Sequence, residues 1–78
     1  MKLLIVDDER IARSELKFLI KELNQSVQIL EADSVESALS ILREIDLDGA
    51  FIDMQLPDGI GMEIAHAVMS RPNGAFPI

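Results

Sequence analysis

The sequence predicts an α/β protein built on a parallel sheet. Three observations carry that expectation: short apolar runs of strand length, longer stretches with apolar residues at helical spacing, and regular alternation of the two along the chain. The order strand, helix, strand, helix, strand, helix implies parallel strands joined by right-handed crossovers, with helices on both faces of the sheet.

Taken in order, Leu3 to Val6 reads as a strand buried on both faces, and it runs directly into Asp7, Asp8 and Glu9. From about Glu9 to Leu23 an amphipathic helix is expected, because Ala12, Leu16, Leu19, Ile20 and Leu23 recur at helical spacing. Arg13, Lys17, Lys21 and Glu22 fill much of its other face. Asn24-Gln25-Ser26 breaks the helix, and Val27 to Ala32 alternates as a strand with one more solvated face, which suits a sheet edge. Asp33 is expected to cap the second helix with Glu36 at capping-box spacing, and Val35, Ala38, Leu39, Leu42 and Ile45 form its apolar stripe. That helix ends near Ile45. Gly49 to Ile52 is a short buried strand that again stops at a carboxylate, Asp53. Leu56-Pro57-Asp58-Gly59 signals a loop, and Ile60, Ile64, Ala67 and Val68 mark a third helix ending before Arg71-Pro72-Asn73-Gly74. Phe76-Pro77-Ile78 looks like the entry to a further strand.

The chain has 78 residues, the size of at most one domain. Hydrophobic residues make up 49% of it, with three Phe and no Trp or Tyr, so the core is expected to be aliphatic. The formal charge of -7 argues against binding nucleic acid or an anionic membrane surface by itself, since both need clustered Lys and Arg. With no cysteine, disulfides, thiolate metal sites and cysteine nucleophiles are excluded. No apolar run reaches the roughly 20 residues of a membrane helix, and no signal peptide opens the chain. The expected location is the cytoplasm.

In an open parallel sheet, ligands bind beyond the carboxyl ends of the strands, where strand order reverses. Asp7, Asp8 and Asp53 stand at the ends of the first and third strands, and if these are neighbours the three carboxylates meet in one crevice. Like charges gathered there need a positive partner, and a hard divalent cation such as Mg²⁺ is the natural one. Mg²⁺ usually keeps waters and takes one or two carboxylates with phosphate oxygens, so the pattern suits phosphoryl chemistry with a carboxylate as nucleophile. The plainer reading is that Asp7 or Asp8 caps the first helix and Asp53 simply ends a strand. His66 reads as a surface residue and Met54, Met62 and Met69 as core and loop filling, while nothing resembles a P-loop or a glycine-rich dinucleotide loop.

With these residues in view, the chain from Lys2 to Ile78 resembles the receiver domain of two-component response regulators. The resemblance is carried by an apolar strand followed by "DDE", a strand ending "FIDMQLP", and Gly61 eight residues after Asp53. It implies a flavodoxin-like receiver fold with strand order 2-1-3, truncated after the third helix or at the start of the fourth strand. It further implies that Asp53 is the phosphoacceptor for a histidine kinase. Asp8 and Asp53 would bind Mg²⁺ with the backbone carbonyl of Gln55, Asp7 would be the outer acidic partner, and Pro57 and Gly61 would shape the loop. The helix "IARSELKFLIKEL" is similar to receivers that precede a LytTR-type DNA-binding output domain, so DNA would be reached only through a domain absent from this chain. Ile60 departs from the acid that family members often carry at that place. Receivers also use a Ser or Thr ending the fourth strand and a Lys ending the fifth, whereas this chain has no Thr and stops at Ile78. The expectation is therefore the N-terminal part of a receiver (residues 1–78), a phosphoacceptor and not an enzyme. The alternative is a structural module that dimerises without phosphotransfer: the third strand, Gly49 to Asp53, would present an unpaired edge to a second copy. Contact through the third strand and third helix is expected over exchange of Phe76 to Ile78.

Overall fold

The computed structural model describes residues 1–70 and the strand Phe76–Pro77. Its elements are β1 (Lys2–Val6), α1 (Arg10–Leu23), β2 (Gln28–Ala32), α2 (Val35–Glu44), β3 (Gly49–Ile52), β4 (Gln55–Leu56), β5 (Gly59–Ile60), α3 (Gly61–Met69) and β6 (Phe76–Pro77). The main sheet is parallel and ordered β2-β1-β3-β6, which contains the expected order 2-1-3. β1 is central, so both its faces are covered: Leu4 and Val6 join the core under α2 and α3, and Leu3 and Ile5 join the smaller core under α1. β2 lies at the edge, as its alternating pattern implies.

Four local expectations are corrected. α2 is capped by Ser34 and not by Asp33: the Ser34 hydroxyl accepts from the Ser37 amide at 3.1 Å while the Ser37 hydroxyl accepts from the Ser34 amide at 3.2 Å. Two serines close the box because both sit within reach of these orphan amides, so Glu36 is not needed for it. Secondly, the stripe assigned to α1 is only partly covered. Ile20 is the buried residue of that helix, whereas Leu19 and Leu23 are 58% and 88% exposed, and Arg13 lies half-buried instead of on a solvated face. Thirdly, the loop expected at Leu56 to Gly59 does turn at Pro57 and Asp58, but its flanks form a small antiparallel ribbon, β4 against β5, pairing Gln55 with Ile60 and Leu56 with Gly59. α3 therefore begins at Gly61, and Met54, Met62 and Met69 are exposed instead of filling core. Finally, the outer edge of β3 is not wholly unpaired, because Gly49 and Ala50 pair with Phe76 and Pro77. α3 ends at Met69, before Arg71 as expected, and residues 71–75 and Ile78 lie outside the described residues. Among the described residues, no helix is long and apolar enough to cross a membrane.

Candidate functional site

β1 leads through α1 to β2 on one side of it, and β2 leads through α2 back to β3 on the other side, so the strand order reverses between β1 and β3. Their register pairs Val6 with Ile52, and the ladder runs one step further as the Asp53 amide donates to the Val6 carbonyl at 2.9 Å. On the other side the Asp7 amide donates to the Ala32 carbonyl at 3.1 Å. Asp7 and Asp53 thus leave the sheet side by side as a consequence of register. Asp7, Asp8 and Asp53 each present a carboxylate oxygen within 4.8 Å of the others, with Asp7 and Asp53 half-buried and Asp8 exposed. The structure brings together the three acids that the sequence singled out.

Two of these acids use one oxygen locally. Asp7 Oδ1 accepts from the Glu9 amide at 2.9 Å, and Asp53 Oδ1 accepts from the Gln55 amide at 3.1 Å. Each bond spans two residues, the Asx-turn pattern that fixes a carboxylate against its own backbone. Asp7 therefore turns the chain towards α1 without capping it, since Glu9 occupies the N-cap position and makes no side-chain bond. Gln55 meets the site through this amide bond, and its side chain is exposed.

A cation beside this acidic corner is one that sequence patterning assigned to solvent. The Arg13 guanidinium donates through Nη1 to the Asp7 carbonyl at 2.6 Å and through Nε to Glu31 Oε1 at 3.2 Å, with its side chain 14% exposed. Lys17 joins the same glutamate at 3.4 Å. Arg13 thus fixes the main chain of Asp7 without bonding to its carboxylate. The available signal was Arg13 and Lys17, one turn apart on one flank of α1, facing an acid on the edge strand.

The loop after Asp53 is held by three features. Leu56 is buried in the core under α2 and α3. The start of α3 abuts the Asp53 backbone: the Gly61 amide donates to the Met54 carbonyl at 3.0 Å, and a Cβ on Gly61 would lie 2.3 Å from the Asp53 carbonyl oxygen. That contact gives a physical reason for the glycine, which the family resemblance assigned to shaping the loop. Asp58 reaches across to α2, its two carboxylate oxygens accepting from the amides of Val35 at 2.8 Å and Glu36 at 3.0 Å. Those amide bonds, Val35 first, hold the Asp58 carboxyl below the usual aspartate range. The sequence reading saw Asp58 only as a turn residue.

A donor set made wholly of carboxylate oxygens, exposed on one side, fits a hard divalent ion such as Mg²⁺ and leaves room for water or phosphate oxygens. His66 is exposed on α3, outside this cluster. Beside the acids, a cleft lined by Ala12, Leu16, Phe51 and Ile52 opens on the α1 side of the sheet.

Several known proteins resemble this chain in sequence and fold. The model of the response regulator receiver domain family matches residues 3–78. The sensory transduction protein LytT of Bacillus cereus is 44% identical over 73 residues, covering 94% of this chain and 30% of the relative. The sensory transduction protein LytR of Staphylococcus saprophyticus is 35% identical over 76 residues, covering 97% and 30%. The chain therefore spans about a third of the length of these curated relatives. Among solved structures, the complex of the histidine kinase ThkA with the response regulator TrrA contains a chain 28% identical to this one, with a TM-score of 0.82 over 97% of this chain and 64% of that one. The MaeR response regulator bound to beryllium trifluoride is 17% identical, with a TM-score of 0.83 over 99% and 62%, and shows likeness of fold.

Proposed function

This chain belongs to the response regulator receiver domain family, and from that premise we propose that it accepts a phosphoryl group from a histidine kinase onto Asp53 with the help of Mg²⁺. The observation that supports this best is the convergence of Asp7, Asp8 and Asp53 at the switch point between β1 and β3. Asp53 is half-buried, and its turn bond to Gln55 leaves its second oxygen free of any such turn. In the proposed transfer an Asp53 oxygen attacks the phosphorus of a phosphohistidine; the new O–P bond forms as the P–N bond breaks, and the imidazole leaves with the bonding pair and takes up a proton. Asp7, Asp8, Asp53 and the Gln55 carbonyl are the residues that would hold Mg²⁺, which when bound neutralises charge on the phosphoryl oxygens. The chain serves as acceptor and is not itself the enzyme of the pathway.

A kinase partner is supported by the regulator–kinase complex among the structural relatives. A cytoplasmic location is proposed on the same family membership. DNA binding is proposed only for the part of LytT-like relatives that this chain does not match, since a net charge of -7 disfavours it here. The test is intact-mass measurement after incubation with a small phosphodonor and Mg²⁺, in a regulator that carries this chain together with the remainder of a receiver. One phosphoryl gain that vanishes in Asp53→Asn is expected; a gain that persists and maps to another acid refutes the assignment.

One observation favours a second, weaker reading, homodimerisation. Among the described residues, Phe51 and Ile52 have no strand partner on the side of β3 away from β1. Sedimentation at micromolar concentration tests it, and a compact 8.7 kDa species excludes it.

A further inference from the structure

We propose that Asp58 is a positioning residue of the acidic site, tying the ribbon that follows Asp53 to the N-terminus of α2 and so setting how the Asp53–Gln55 turn faces Asp7 and Asp8. The inference rests on the reading that these acids hold a divalent cation. A ribbon of two residues against two cannot hold itself in place, because isolated hairpins are marginal even when longer. Its position must come from anchors at its ends and its turn. Beside the turn Leu56 enters the core, and at the open end Gly61 bonds back to Met54. The turn has Asp58.

The partner surface is equally specific. A helix begins with four backbone amides that lack intrahelical acceptors. In α2 the Ser34 hydroxyl accepts from the Ser37 amide, and Asp58 accepts from Val35 and Glu36, one carboxylate oxygen to each amide. A carboxylate is the favoured acceptor there, since it opposes the positive end of the helix dipole. These bonds span 23 and 22 residues, so they cannot arise from local chain stiffness. Gly59 packs beside Val35 from the same turn, a Cβ on it falling 3.1 Å from Val35 Cγ2. With its turn fixed to α2 and its first residue bonded to Asp53, the ribbon transmits the position of α2 to the phosphoacceptor.

The experiment is a Mg²⁺ titration of the chain followed by backbone amide shifts, with unfolding measured in parallel. Wild type is expected to respond first at Asp7, Asp8 and Asp53 to Gln55. In Asp58→Ala the affinity should fall about tenfold, as when a group that orients a ligand is lost, and in Ser34→Ala it should stay within about twofold. Ser34→Ala is the control for the helix, since it removes a cap bond from α2 without touching the ribbon, and Asp33→Asn is the control for loss of one negative charge near α2. Asp58→Asn, which keeps one acceptor oxygen, should fall between wild type and Asp58→Ala, and decides the matter if Asp58→Ala does not fold. Equal weakening in Ser34→Ala or Asp33→Asn, or unchanged affinity in the Asp58 variants, overturns the proposal. A wild type with no response localised to the acids overturns instead the metal reading on which it rests.

Discussion

The two faces of the sheet receive the same kind of residue from β1 but are closed in different ways. On one face Leu4, Val6 and Ala50 pack with Val35, Ala38 and Leu42 of α2 and Ile64 and Val68 of α3. On the other, Leu3 and Ile5 meet Ile20 and Val27, with Leu16, Ile29 and Phe51 only partly covered. α1 leaves Ile11, Phe18, Leu19 and Leu23 exposed. It is also held by cations that reach backbone carbonyls beyond both its ends: Arg13 donates to Asp7, and Lys21 donates to Val27. One face is therefore secured by a larger apolar core and the other by a smaller one with added polar ties. The acidic site straddles them, taking Asp7 and Asp8 from the chain entering α1 and Asp53 from the chain entering the ribbon and α3.

The sharpest way to break this comparison is to truncate one core residue on each face. Ile64→Ala, at a fully buried position, should cost about 2–5 kcal/mol, and Ile20→Ala, at the open rim of the α1 core, should fall at or below the low end of that range. Urea unfolding checks the pair, and equal losses would mean that α1 is as firmly packed as α2 and α3. Gly61→Ala comes next, at about 1–3 kcal/mol for forcing the new methyl off the Asp53 carbonyl. It should also weaken the Mg²⁺ response, because the atom displaced belongs to Asp53.

Arg13→Ala should cost about 1–2 kcal/mol through loss of its charge-assisted bond to the Asp7 carbonyl. Arg13→Lys should not restore it, since one ammonium cannot reproduce the guanidinium fork that joins Asp7 to Glu31. Full recovery with Lys would show that charge alone is needed. A smaller effect separates the Asp58 tie from the rest. Its folded pKa lies below its ordinary value, so its contribution is fully present above about pH 4 and is lost as pH falls through the lower folded value. Stability measured between pH 5 and 2 should therefore fall less steeply in Asp58→Asn than in wild type, and superimposable curves would remove the tie. The smallest effect belongs to the outward side of α1. Phe18→Ser, at a residue 62% exposed, should change stability by no more than about 0.5 kcal/mol. A larger loss, read from the same unfolding curves, would show that this side of the helix is covered in solution.

The acids of the site were legible because β1 and β3 carry their own end signals: an apolar run stopping at a carboxylate marks the carboxyl end of a strand, and a parallel sheet gathers such ends on one side. The cap of α2 was misassigned because Asp33 and Ser34 are both good capping residues, and neighbouring candidates differ by less than propensity resolves. The exposure of Leu19 and Leu23 on α1 was invisible for another reason. Helical spacing of Leu16, Leu19, Ile20 and Leu23 shows that an apolar side exists, but not how much protein lies against it.

By itself, then, the sequence determined the order of the main strands and helices and the burial of β1 on both faces, which follow from local periodicity, and it set Asp7, Asp8 and Asp53 at strand ends that meet only if β1 and β3 are neighbours, an order implied by the family resemblance. The tertiary structure alone decided the ties that position those acids: Arg13 on the Asp7 carbonyl, Gly61 against the Asp53 backbone and Asp58 on the amides of α2. Each is a contact between a side chain or a missing side chain and the backbone of a different element. Backbone amides and carbonyls are the same at every position, so nothing in the residue letters marks which of them a given side chain will meet.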